Sequence, residues 1–140
     1  MNRSIVLVFI ITGMLFWTAC DKEEETSERF RFLTGAVWVA DSLLINGIDA
    51  SGPGQLLENF RGEARFMEDG TGTFGAYEGT WRFAQNETEL VIMSDSLPLP
   101  MLSTKIQELT AQSLKVTTAF PDFDNLQGPA LNIRLTFNAQ

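Results

Sequence analysis

The sequence predicts an all-β domain: an eight-stranded antiparallel up-and-down barrel over residues 30–140, with a short helix near residues 55–60. Three observations predict it. From Phe30 onward, short apolar or alternating segments are separated by turn residues. No window of eleven or more residues carries a 3.6-residue apolar period bounded by caps. The segments are joined mostly by tight reversals, and an eight-stranded meander with one apolar face leaves no open edge when it curls into a barrel. A chain of 140 residues, 44% hydrophobic and 20% charged, has material for one core.

The first strand runs over Ala36 to Ile45, apolar on both faces, and Asn46-Gly47 turns the chain after it. Gly52, Pro53 and Gly54 punctuate a loop. Leu56, Leu57 and Phe60 then fall at the spacing of one or two helical turns, enough to cap an open barrel end. Ala64 and Phe66 alternate with Glu63 and Arg65, Asp69-Gly70 reverses the chain, and Thr71 to Tyr77 returns as a glycine-rich strand. Trp81 and Phe83 share a face opposite Thr80 and Arg82; Gln85 to Glu87 form a turn before the strand from Thr88 to Met93. Pro98 and Pro100 cannot donate to a ladder, so DSLPLPML reads as a loop or an edge crossing. A hairpin follows, arriving through Ile106 and Leu109, turning at Ala111-Gln112 and leaving with Leu114, Val116, Thr118 and Phe120 on one face. After the loop from Pro121 to Pro129, Leu131, Ile133, Leu135 and Phe137 alternate with Asn132, Arg134, Thr136 and Asn138, the most regular strand of the chain.

Ahead of this body the chain reads as an address. Arg3, the 13-residue apolar run from Ile5 to Trp17 and the small residues Thr18 and Ala19 follow the order of a secretory signal over residues 1–19. The run falls short of the roughly 20 residues that span a bilayer. Thr18-Ala19-Cys20 resembles the lipobox of bacterial lipoproteins, which implies that Cys20 is lipidated and becomes the first mature residue. The other reading makes Cys20 a small buried residue or a free thiol. Residues 20–29 form an acidic tether, with no large apolar side chain in DKEEETSE to offset the entropy of ordering. Lys22, Glu23 and Glu24 after the cysteine resemble the export signal of surface-exposed lipoproteins. The resemblance implies an outer-membrane, lipid-anchored protein at the cell surface, and otherwise on the periplasmic face.

The body itself resembles the bacterial lipocalin-like lipoproteins over residues 30–140. The residues that carry this are Trp38 after Leu33-Thr34-Gly35, the reversal from Asp69 to Phe74, Gly79-Thr80-Trp81, and the paired stretch from Ile106 to Val116. The family's first strand is marked by Gly-x-Trp; here Gly35 and Trp38 stand one residue further apart. The resemblance implies a barrel that holds a small apolar ligand inside or at its mouth.

Trp38, Phe66, Phe74, Trp81, Phe83 and Phe137 are the candidate lining residues. They serve equally to fill a solid core, and in so small a domain filling is the stronger expectation. Strand parity puts Arg82 and Arg134 on the outer face. Catalysis is disfavoured, because the chain has no histidine and its single cysteine is assigned to lipid. Asp41, Glu58, Glu63, Glu78 and Glu108 show no spacing that pairs two carboxylates. In PDFDN, Asp122, Asp124 and Asn125 offer oxygen donors for calcium, yet an Asx turn explains them better. No metal and no cofactor is therefore expected. Residues 29–140 hold eight Lys and Arg against thirteen Asp and Glu, a balance of −5 without a basic cluster, which argues against nucleic acid. Two functions remain open: a membrane-anchored binder of a small apolar ligand, or a non-catalytic accessory subunit with a filled core. The second would dock on an outer-membrane partner through its LPLPM and PDFDNLQGP loops.

Overall fold

The computed structural model of the protein describes residues 26–140. The signal segment and Cys20 lie outside the described residues. The chain enters through a helix, α1 (Glu28–Thr34), capped by the Ser27 hydroxyl, which accepts from the Phe30 N–H at 3.0 Å. Sequence reasoning did not foresee α1, because seven residues are too few to display a helical period. The boundary drawn between tether and barrel at residues 29 and 30 falls inside it.

Nine strands follow: β1 (Trp38–Ile45), β2 (Ile48–Asp49), β3 (Glu63–Phe66), β4 (Thr71–Phe74), β5 (Tyr77–Ala84), β6 (Glu89–Met93), β7 (Met101–Leu109), β8 (Ser113–Phe120) and β9 (Leu131–Ala139). A 3₁₀ turn over Glu58–Phe60 occupies the place predicted for the short helix. Each strand from β3 to β9 pairs antiparallel with the next, and β9 returns to β1 along a register from Trp38↔Ala139 to Ile45↔Ile133. Strands β1 and β3–β9 thus close an eight-stranded up-and-down barrel, the all-β, lipocalin-like fold that the alternation predicts. Strand β2 and strand β3 share the second edge of β1, β2 at Leu44 and Ile45 and β3 at Trp38 and Val39.

Three boundaries differ from the sequence reading. The first strand begins at Trp38, not Ala36. The single strand expected over Thr71 to Tyr77 is two, because Gly75 takes φ 63° and reverses the chain so that Phe74 faces Tyr77. Met101 and Leu102, expected in the proline loop, open β7: Pro100 sits just before the first ladder position, where its missing N–H costs nothing.

The inward faces are those the parity predicts. Ile133, Leu135 and Phe137 of β9 are buried while Asn132, Arg134 and Asn138 are exposed. Thr104 is a polar side chain buried within the barrel, and its hydroxyl donates to the Leu90 carbonyl at 2.8 Å. Among the described residues no buried side-chain nitrogen or oxygen lacks a partner.

The two ends differ. At the base, α1 closes the barrel. The Trp38 indole N–H donates to the Leu33 carbonyl at 2.9 Å, Arg29 donates to the Glu87 carbonyl at 2.9 Å, and Phe30 packs on Trp81 with centroids 5.7 Å apart. At the mouth lie the connector 46–62, the β4–β5 reversal, the loop 94–100 and the loop 121–130.

Candidate functional site at the mouth of the barrel

The interior is full. Phe66, Phe74 and Trp81, all buried, join with half-buried Phe83 into a chain of rings: Phe66–Phe74 at 5.2 Å, Phe66–Trp81 at 5.7 Å and Trp81–Phe83 at 5.5 Å between centroids. The Trp81 indole donates to the Met67 carbonyl at 2.9 Å, which fixes the ring at the base. Phe137 comes beside Phe66 and Phe74 around a void of about 20 Å³, room for about one water. Trp38 is fully buried but points to the helix, as its bond to Leu33 requires. The structure therefore brings five of the six candidate aromatics into a packed layer and uses Trp38 to hold the base.

A second void, also about 20 Å³, lies under the mouth between Leu57, Phe60, Leu97, Leu99, Phe120 and Ile133. Phe60 and Leu135 border both voids, so the Phe60 ring is the partition between the mouth and the deep interior. The connector inserts it there. Leu57 and Phe60 are three residues apart, so one tight turn turns both inward, while Leu56 and Glu58 stay outside. The connector is tied to the barrel at its ends: Ala50 N–H to Leu43, Ala76 N–H to Asn59 and Ala40 N–H to Gly62. Every hydrogen bond of residues 51–58 stays within the connector itself.

Around this opening stand exposed apolar side chains. Ile48, Leu56, Met93, Met101, Phe123 and Leu126 are at the mouth, and among the described residues only Met67 of the exposed large hydrophobics lies at the base. Phe123 stacks edge-on against the buried Phe120 at 5.6 Å, which holds its exposed ring in place.

The carboxylates do structural work. Hydrogen bonds from the Thr71 hydroxyl at 2.7 Å and backbone at 2.9 Å hold the Asp69 carboxyl below its usual range, and Ser51 does the same for Asp49. The Glu108 carboxyl is lowered first by the Ser113 hydroxyl and then by Lys115, 3.2 Å away. Glu63 pairs with Arg65 at 3.2 Å, and Glu58 accepts from the Gly54 N–H. Asp122 accepts from the Asp124 N–H at 3.0 Å, the Asx turn predicted for PDFDN. Among the described residues no three acidic or other metal-ligating side chains converge. Two depressions, about 740 and 710 Å³, are wide open to solvent and lie on the outer face around exposed Arg134.

Sequence reasoning missed the base: Ser27 followed by acidic Glu28 and then Phe30 and Leu33 was the available signal of a capped turn. It reached the mouth through the spacing of Leu57 and Phe60 and through the two proline loops. Compared with models of protein families and with curated proteins, the chain matches none.

Proposed function

We propose that this protein is a non-catalytic, membrane-anchored interaction module that engages a partner protein with the mouth of its barrel. One observation carries the reading: the interior voids are each about 20 Å³, far below the roughly 300–1,000 Å³ of ligand pockets, while the exposed large hydrophobics gather at one end. A filled barrel offers no internal site of ligand size and leaves its loops to bind. The anchor is the lipid on Cys20, the membrane the outer one and the exposed side the cell surface, as the signal and the acidic run after the cysteine suggest.

A second reading, a small apolar ligand held at the mouth, is favoured by the apolar cleft between the connector and the 94–100 loop. Native mass spectrometry of the mature protein extracted from its host membrane separates the two. A stoichiometric protein partner supports docking; a co-purified small molecule with no protein partner replaces it with the ligand reading. The same spectrum carries the lipid mass on Cys20, and a Cys20→Ala variant that is still processed and membrane-bound defeats the anchor.

A further inference from the structure

We infer that the mouth accepts a protein segment bearing both aliphatic and cationic side chains, and does not rest on a bilayer. The inference rests on the docking reading above and names the chemistry of the partner.

The apolar part of the surface is exposed, and Phe123 is held in place against Phe120. Phe123 is 56% exposed, Leu126 73% and Ile48 72%, at the same end as a small apolar cleft lined by Leu56, Leu97, Leu99 and Phe120. All five prolines of the chain, Pro53, Pro98, Pro100, Pro121 and Pro129, lie in the mouth loops. Proline fixes φ, so these loops lose little freedom when something binds them.

The charged part has one sign. The connector and the two loops carry Asp49, Glu58, Asp95, Asp122 and Asp124 against Arg61. The ion pairs among the described residues are Arg65–Glu63 and Lys115–Glu108; neither includes a mouth carboxylate, and Arg61 acts on Asp49 only at longer range. Carboxylates within about 10 Å of the apolar side chains act on whatever touches them, because that is the screening length at moderate salt. They repel anionic lipid and attract lysine and arginine, raising the association rate of a cationic partner. The outer sheet face lacks this bias: Arg134 and Lys115 line its depressions together with Asp41, and Lys105 lies opposite Glu89.

The full-length protein in neutral detergent is titrated with synthetic peptides of equal length made of lysine and leucine, glutamate and leucine, or lysine and serine. Only the lysine–leucine peptide is expected to bind well. Its affinity should fall about tenfold or more in a Phe123→Ser/Leu126→Ser variant, and also in Asp122→Asn/Asp124→Asn, where the salt dependence flattens too. Met67→Ser at the base should leave it unchanged. Equal binding of the glutamate–leucine peptide, indifference to the mouth variants, or binding of phosphatidylcholine vesicles through Phe123 and Leu126 overturns the inference. A photo-crosslinking residue at position 126, used in the native membrane, tells the two failures apart. Crosslinks to a protein segment without cations overturn the partner chemistry and keep docking; a crosslink to lipid or small molecule alone removes docking as well.

Discussion

Replacing Phe60 with alanine tests whether the barrel is sealed from above by a single ring. A buried aromatic side chain removes about 150–250 Å² from water, which at about 25 cal/mol/Å² is worth about 4–6 kcal/mol. Alanine retains a small part of that, leaving the about 3–5 kcal/mol typical of buried Phe→Ala changes. The pairing of Phe60 with Tyr77, centroids 4.9 Å apart and planes at 55°, adds about 0.5–1.5 kcal/mol. Relaxation works the other way, because residues 51–58 make no hydrogen bond to the barrel and can settle into the gap. The expected loss is therefore near the low end, about 3 kcal/mol, or on the order of 12 °C in Tm for a domain of this size. Urea denaturation measures it as a lower midpoint at unchanged slope. To the extent that the connector does not settle, the variant joins the two voids, and a benzene-sized apolar molecule should then bind its folded state and not the parent's. A loss below about 1 kcal/mol would refute the partition, since a ring that carries so little cannot be what fills the space between mouth and core.

Three further substitutions and one control probe the base, the coiled wall and a turn. Trp38→Phe removes the donor to Leu33 and should cost about 1–3 kcal/mol; near-ultraviolet circular dichroism and denaturation should show α1 loosened with the barrel still closed. Gly72→Ala places a methyl 2.6 Å from the Arg65 carbonyl oxygen and 2.9 Å from the Phe74 ring, an overpacking expected to cost about 1–3 kcal/mol. Gly54→Ala is its control: it meets nothing within 4 Å but keeps φ +76°, so only backbone strain of about 1 kcal/mol is expected. Asp69→Ala removes a carboxyl whose folded-state pKa is lowered by Thr71. A depressed carboxyl stabilises above its unfolded value, near 3.9, and that contribution is lost as pH falls through the lower folded value. The stability gap between parent and variant should thus be full at neutral pH and shrink below about pH 4; a gap that widens on acidification contradicts the assignment.

Much of the wall was legible because burial on one side writes period-two alternation directly into a strand. In β9 every second residue from Leu131 to Phe137 turns inward, and β7 repeats the pattern through Leu102, Thr104 and Ile106. Legibility failed where backbone geometry, not hydrophobicity, decides. Gly75 splits one expected strand into two through a positive φ that no pattern of apolar residues records. Helix α1 escaped for the opposite reason: it buries Leu33 against the base by tertiary contact and is too short to have a period. The candidate aromatics were found correctly as inward-facing, yet alternation cannot distinguish a lining from a filling. That depends on Leu57 and Phe60, whose side chains enter from outside the strand pattern.

The distribution of hydrogen bonds bears on the proposal that the mouth, not the base, engages a partner. At the base, three side chains reach backbone carbonyls on other elements: Trp38 to Leu33, Trp81 to Met67 and Arg29 to Glu87. Each fixes one element against another, and opening the base would strand a buried indole N–H of Trp38 without a partner, at about 1–3 kcal/mol. At the mouth, residues 51–58 meet the barrel through apolar contact, chiefly at buried Leu57 and the adjoining Phe60, a non-directional contact that a partner's aliphatic side chain can match. Exchanging one apolar contact for another leaves no polar group unsatisfied, so the proposed docking would meet little resistance from the fold. Weakly tied segments of this kind are common in binding surfaces, and here the stretch 51–58 shares the mouth with the proline-stiffened loops 94–100 and 121–130. Directional bonds also tie the rim, Ser94 to the Glu78 carbonyl at 2.6 Å and the Asn132 N–H to Asn46 at 3.0 Å; within the mouth, residues 51–58 are the stretch whose hydrogen bonds all stay inside the connector.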